Sequence, residues 1–103
     1  MKLVNLSIWN IKVNFHDNRR TILKDEVFRH VIPETVADDF LYAACDIEDD
    51  KLVSSVGSRY IECSSDGLKQ ILDKTYHTYW IKKFWIAIED GQTYSLEFNF
   101  EGD

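Results

Sequence analysis

Two stretches of apolar alternation, one near each end of the chain, limit the fold more than any other feature. Val4, Leu6 and Ile8 occupy even positions, after which Trp9, Ile11, Val13 and Phe15 occupy odd ones. Side chains in a strand alternate between faces, so residues 3–15 read as a strand whose change of phase needs one extra residue. A β-bulge near Ile8–Asn10 is the simplest account, and His16-Asp17-Asn18-Arg19-Arg20 is then a polar turn. At the other end Phe84, Ile86 and Ile88 alternate in one strand, and Tyr94, Leu96, Phe98 and Phe100 in the next. A two-residue Asp90-Gly91 turn would set Ile86 against Ser95, apolar against polar. A three-residue loop, Glu89-Asp90-Gly91, sets Ile86 against Tyr94 and Phe84 against Leu96, with Gly91 as the left-handed residue of a G1 bulge. Parity selects the three-residue loop.

Between these ends the spacing changes. Leu23, Val27 and Val31 fall four apart within Thr21–Val31, flanked by Ile22 and Phe28, which predicts a helix. Pro33 ends it and suits the first position of a second helix, because its missing N–H costs nothing there. Val36, Ala37, Phe40, Leu41 and Ala44 form one apolar face of that second helix, from about Pro33 to Ala44. Val53, Val56, Tyr60 and Ile61 suit β structure, but Gly57 interrupts, so a strand is expected around Ser58–Ser64. Ser65 or Asp66 caps a third helix, with Leu68, Ile71, Leu72 and Tyr76 at helical spacing and Tyr79 and Trp80 continuing it. The expected class is α+β. It comprises an antiparallel sheet of about four strands (the N-terminal strand, a middle strand and the C-terminal hairpin), with about three helices on one face.

At 103 residues the chain is expected to form one domain, residues 1–103, and 45% apolar residues suffice for a packed core. No apolar run approaches the ~18 residues of a membrane helix. The segment Met1-Lys2-Leu3-Val4-Asn5 lacks the apolar stretch of a signal peptide, which points to the cytoplasm. Cys45 and Cys63 are too few for a disulfide scaffold, and in a reducing compartment both are expected to be buried thiols.

Charge is distributed unevenly. Glu34, Asp38, Asp39, Asp46, Glu48, Asp49 and Asp50 lie in a segment with no basic residue. The rest of the chain holds eleven acids against twelve Lys and Arg, so this one segment accounts for the whole net charge of −6. A field of that sign attracts basic surfaces and repels nucleic acid. Asp38, Asp39 and Asp46 fall off the apolar face of the second helix and should be solvated. The loop Asp46–Asp50 is not an EF-hand: counted from Asp46, the sixth position is Lys51 where Gly is required and the twelfth is Gly57 where Glu is required.

Catalytic and cofactor motifs do not emerge. His16-Asp17 is an adjacent pair in a turn, and neighbours in sequence rarely orient each other as a dyad must. His30 falls within a helical stretch and His77 within an aromatic one. No HxxxH or HExxH spacing exists and the cysteines stand 18 apart, so no metal or cofactor is expected. Aromatic density peaks at Tyr76, His77, Tyr79, Trp80, Phe84 and Trp85. Hairpin parity puts Trp85 on the face opposite Phe84 and Ile86, where an exposed Trp would be an interface anchor.

Three classes of function fit these features. The leading expectation is a small acidic, cytoplasmic inhibitor that blocks a basic, nucleic-acid-binding partner protein such as a nuclease toxin. The binding residues would be Asp38, Asp39, Asp46, Glu48, Asp49, Asp50 and Trp85, and no nucleic acid or membrane would be bound directly. In size and charge such a chain is similar to toxin-neutralising immunity proteins and to small phage-encoded nuclease inhibitors. The second class is a subunit or adaptor docking through the Trp85 face. The third is a small enzyme or ligand binder using His16 or His77.

Overall fold

The computed structural model describes residues 2–16, 19–55, 57–75 and 87–100, and within that range not the side chains of Val13, Asn14, His16, Arg20 and Phe100. The elements run β1 (Leu3–His16), β2 (Arg19–Pro33), α1 (Glu34–Cys45), β3 (Val53–Ser55), β4 (Tyr60–Ser64), α2 (Ser65–Lys74) and β5 (Thr93–Phe100). The class is α+β as expected, but the described residues form five strands and two helices. All strands pair antiparallel in the order β2-β1-β5-β4-β3.

Two of the described strands are unexpected, the short β3 and β2, and β2 covers the residues whose spacing predicts a first helix. Its repeat of four does not mark one face: Leu23 lies opposite Lys12 and Val31 opposite Asn5, on different faces of the sheet, with Val27 unpaired between them. Thr21, Ile22, Val27, Val31 and Ile32 are β-branched, which favours a pleated surface over a helix. The whole of β2 pairs with β1, from Leu3↔Pro33 to His16↔Arg19. The register shifts between Ile8 and Trp9, which face Phe28 and Glu26, so Val27 is the bulged residue. The bulge expected near Ile8–Asn10 thus lies at that height but on the partner strand, and β1 pairs without interruption with β5. The phase change in β1 has another cause: Val4, Leu6 and Ile8 are buried on one face of the sheet and Ile11 on the other.

Both helices pack on the face formed by Val4, Leu6, Ile8, Ile32, Ile61, Cys63, Tyr94, Leu96 and Phe98. From α1 this core receives Val36, Ala37, Phe40, Leu41 and Ala44, the face the spacing predicts, and from α2 Leu68, Ile71 and Leu72. The Phe40 and Phe98 rings meet tilted at 5.9 Å. Pro33 is the residue before α1, and Glu34 N–H donates to Lys2 O at 3.0 Å, tying the helix start to the start of β1. Ser64 caps α2, one residue before the expected Ser65 or Asp66: its Oγ accepts from Gly67 N–H at 3.1 Å.

β5 is central and not half of an isolated hairpin. Tyr94 faces Asn10 and Cys63, and Leu96 faces Ile8 and Ile61, so the positions expected to pair with Ile86 and Phe84 are taken on both sides. Phe84, Trp85 and Ile86 lie outside the described residues, as do Tyr76, His77, Tyr79 and Trp80. Of the expected turn, the positive φ of Gly91 is present, at +81°. The turn docks on the start of α2: Gly91 N–H donates to Ser65 Oγ at 3.2 Å, and Ser65 N–H donates to Gln92 O at 2.9 Å.

β1 pairs with β5 only from Val4 to Ile11. From Lys12 onward β1 has β2 as its sole described neighbour, so Lys12–His16 and Arg19–Leu23 form a two-stranded arm beyond the sheet. At ~3.3 Å per residue, a strand of β1's 14 residues accounts for most of the 48 Å long axis. The arm carries Phe15, Ile22 and Leu23 at 77%, 48% and 49% exposure, beside exposed Lys12, Arg19 and Lys24.

Candidate partner-binding face

The apolar stripe of α1 dictates what its other side shows. With Val36, Ala37, Phe40, Leu41, Ala43 and Ala44 turned inward, the outward positions are Thr35, Asp38, Asp39, Tyr42, Cys45 and Asp46. Asp38, Asp39 and Asp46 stand four before, three before and four after Tyr42, so all three carboxylates neighbour its ring on the helix surface. Tyr42 is 67% exposed. Sequence reasoning missed it, although its helical spacing from two aspartates held the signal.

The loop after α1 is held rigidly, which fixes where its charges point. Ile47 is buried in the core. The Gln70 side chain clasps Glu48 from both directions: Oε1 accepts from Glu48 N–H at 3.3 Å, and Nε2 donates to Glu48 O at 2.9 Å. The Glu48 and Asp50 side chains are left exposed.

Asp49 is different. Its Oδ2 accepts from Ser64 N–H at 2.8 Å, and its Oδ1 accepts from Ser64 Oγ at 2.9 Å and from Lys51 N–H at 3.3 Å. The carboxylate lies against the first turn of α2, where partial positive charge stabilises it. A Cβ on Gly67 would collide with Asp49 and stand 2.9 Å from its Cγ, so glycine lets the carboxylate reach the helix. Asp49 is therefore part of the scaffold and not of the open face.

Among the described residues the five exposed acids form no ion pair. The ion pairs among the described residues are Lys24–Glu97, Arg29–Glu26 and Lys69–Asp90, at 2.9, 2.8 and 2.8 Å, and none uses a carboxylate of residues 34–50. Asp46 also stands at the C-cap of α1, whose last turn holds no basic residue, where the helix dipole disfavours a negative charge.

Of the other residues singled out by sequence, Trp85 and His77 lie outside the described residues. His16 ends β1 at the tip of the arm, opposite Arg19, and its side chain is not described. The cysteines are not bridged. Cys63 is buried as expected; burial, then the charges of Asp49 and Glu62, push its thiol up to about 12, the reverse of what a nucleophile needs. Cys45 is exposed, contrary to expectation, because it falls on the outer side of α1, where its Sγ donates to Leu41 O at 3.5 Å. Tyr60 is likewise raised to about 12, first by burial and then by Glu62, whose Oε2 accepts from its hydroxyl at 3.3 Å. Among the described residues, no group of three or more His, Cys, Asp and Glu is placed to hold a metal ion, and no helix is long and apolar enough to cross a membrane. No family model, curated protein or solved structure matches the chain.

Proposed function

We propose that the chain is an acidic protein-binding inhibitor acting in the cytoplasm, and that the outer side of α1 and the following loop occupy the basic, nucleic-acid-binding cleft of a partner such as a nuclease toxin. The observation that carries this reading is the set Asp38, Asp39, Asp46, Glu48 and Asp50, which makes no ion pair among the described residues and is arranged around and beyond exposed Tyr42. Carboxylates that spend nothing on internal ion pairs keep their full field for steering a basic partner. An exposed tyrosine among them supplies the aromatic anchor that interfaces favour.

The test uses a five-fold variant, Asp38→Asn, Asp39→Asn, Asp46→Asn, Glu48→Gln and Asp50→Asn, which spares Asp49 and so the fold. Parent and variant are compared in affinity capture from the native host, then in association kinetics and nuclease assays with the captured protein. The parent should capture a basic nucleic-acid enzyme and inhibit it. The variant should associate roughly tenfold or more slowly, with the difference shrinking as salt screens the charges. Equal association by the variant, at any salt, would sink the proposal.

The runner-up is an adaptor that docks through an aromatic surface. With Trp85 outside the described residues, the observation favouring it is Phe15, 77% exposed on the arm. Binding that ignores salt and is lost in Phe15→Ser would select it.

A further inference from the structure

Among the described residues β2 is an edge strand 15 residues long, so one full side of its backbone has no described neighbour in the sheet. Such edges are ordinarily short, charged or covered, because an open edge pairs with any strand that fits. Here Ile22, Leu23 and Val27 are exposed at 48%, 49% and 41% along it. The bulge at Val27 divides the edge and leaves Arg19–Glu26 as a regular segment, paired residue by residue with His16–Trp9.

We propose that this segment pairs antiparallel with the same segment of a second copy, about a two-fold axis through Leu23. Symmetry restricts the choice. A two-fold axis relating antiparallel neighbours in one sheet runs along the sheet normal and keeps each face on its own side. Residues therefore meet partners of their own parity, and the axis must pass through a residue.

Four positions leave room for a ladder. An axis at Lys24 sets Lys24 against itself. One at Ile22 sets Arg19 opposite Asp25 twice but also Arg20 against Lys24 twice, and like charges directly opposite are destabilising. One at Thr21 pairs only Arg19–Leu23 and joins no opposite charges. The axis at Leu23 sets Arg20 opposite Glu26 twice, where Arg20 would share the carboxylate with Arg29 of the same chain as Glu26, and sets Thr21 opposite Asp25, Ile22 opposite Lys24, and Leu23 opposite itself. It is the register of the four in which opposite charges meet and like charges do not. Because i and j carry the complementary groups in both directions, the surface fits a second copy of this chain. The other edge strand, β3, spans three residues and is too short to offer such a ladder. The product is a continuous sheet through both protomers, with an interface small enough that the dimer should depend on concentration.

Cross-linking and sedimentation test this. In a Cys45→Ser background, Leu23→Cys places two thiols directly opposite across the axis, within disulfide reach. Val27→Cys, of similar exposure, is the control off the axis. Air oxidation should give covalent dimer at least tenfold faster at position 23 than at position 27. In sedimentation equilibrium the parent's average mass should climb toward twice the monomer with concentration. Glu26→Arg should weaken the dimer at least tenfold, and adding Arg20→Glu should restore it. A parent that stays monomeric up to millimolar concentration would overturn the proposal. So would equal cross-linking at both positions, a charge swap that restores nothing, or oligomers growing beyond the dimer.

Discussion

Asp49→Ala should cost about 2–3 kcal/mol of stability, whereas the same truncation at Asp38, Asp39 or Asp50 should stay within about 0.5 kcal/mol. The magnitude follows from what the carboxylate holds. Two short bonds reach Ser64, at 2.8 and 2.9 Å, and a longer one of 3.3 Å reaches Lys51 N–H. Bonds to a charged acceptor are worth about 1.5–3 kcal/mol when dry, but this site is half-buried and water replaces part of each. The two short bonds then contribute about 1 kcal/mol each, and position at the α2 N-terminus adds about 0.3–1 kcal/mol. For a domain of this size the melting temperature should fall by about 10–20 °C. Gly67→Ala supplies the second half of a double-mutant cycle. Alone it should destabilise despite the better helix propensity of alanine, because its Cβ meets the Asp49 carboxylate. In the Asp49→Ala background that collision is gone, so the cost of the double variant should fall short of the sum of the two single costs by more than about 1 kcal/mol. Urea unfolding of the four proteins measures this. Additivity within about 0.5 kcal/mol, or an Asp49→Ala variant as stable as Asp38→Ala, would refute the assignment.

Gly91→Val should cost about 1–2 kcal/mol, since φ +81° is closed to a β-branched residue; equal stability in chemical unfolding would remove the strain argument. Cys63 should make stability fall at alkaline pH. Its folded thiol titrates at about 12, above the unfolded value, so the contribution is full below about pH 9 and is lost as pH rises toward 12. The stability difference between the parent and Cys63→Ala should therefore shrink by about 1 kcal/mol per pH unit in that window, and a difference independent of pH would contradict it. Iodoacetamide should modify exposed Cys45 in the native protein and leave Cys63 unmodified until unfolding.

The parts of the fold legible in sequence are those where one face is buried and the chain is locally regular. Val36 to Ala44 repeats at helical spacing because α1 buries one stripe, and Tyr94, Leu96 and Phe98 alternate because that side of β5 enters the apolar core, although Ser95 on the other side is buried too. β2 was not legible because Val27 is a bulge, which resets parity and leaves Leu23, Val27 and Val31 spaced like a helix. Its strand state is set by pairing with β1, a partner that spacing within 21–31 cannot show. The same holds for β5: alternation marks it as a strand but does not say which neighbours take its two sides.

Charge counting treats every carboxylate between Glu34 and Asp50 alike, and the fold separates them by the sign of the field each occupies. Asp49 faces the positive end of α2, so it stabilises and is consumed in doing so. Asp46 sits at the negative end of α1, with no basic residue in that turn to offset it. A charge held against the dipole contributes nothing to folding, so relieving it should be favourable: Asp46→Asn should gain about 0.3–1 kcal/mol, most at low salt. A cost of that size is tolerated without any functional reason, so association with the basic partner, and not stability, decides whether Asp46 belongs to the recognition face. Asp46→Asn should accordingly be more stable than the parent and slower to associate with the basic partner. A variant that gains stability with no loss of association would show Asp46 to be neutral surface, and the recognition face would then contract to Asp38, Asp39 and Tyr42. A variant that loses stability would show that the carboxylate has a structural partner, and would remove Asp46 from the proposed face altogether.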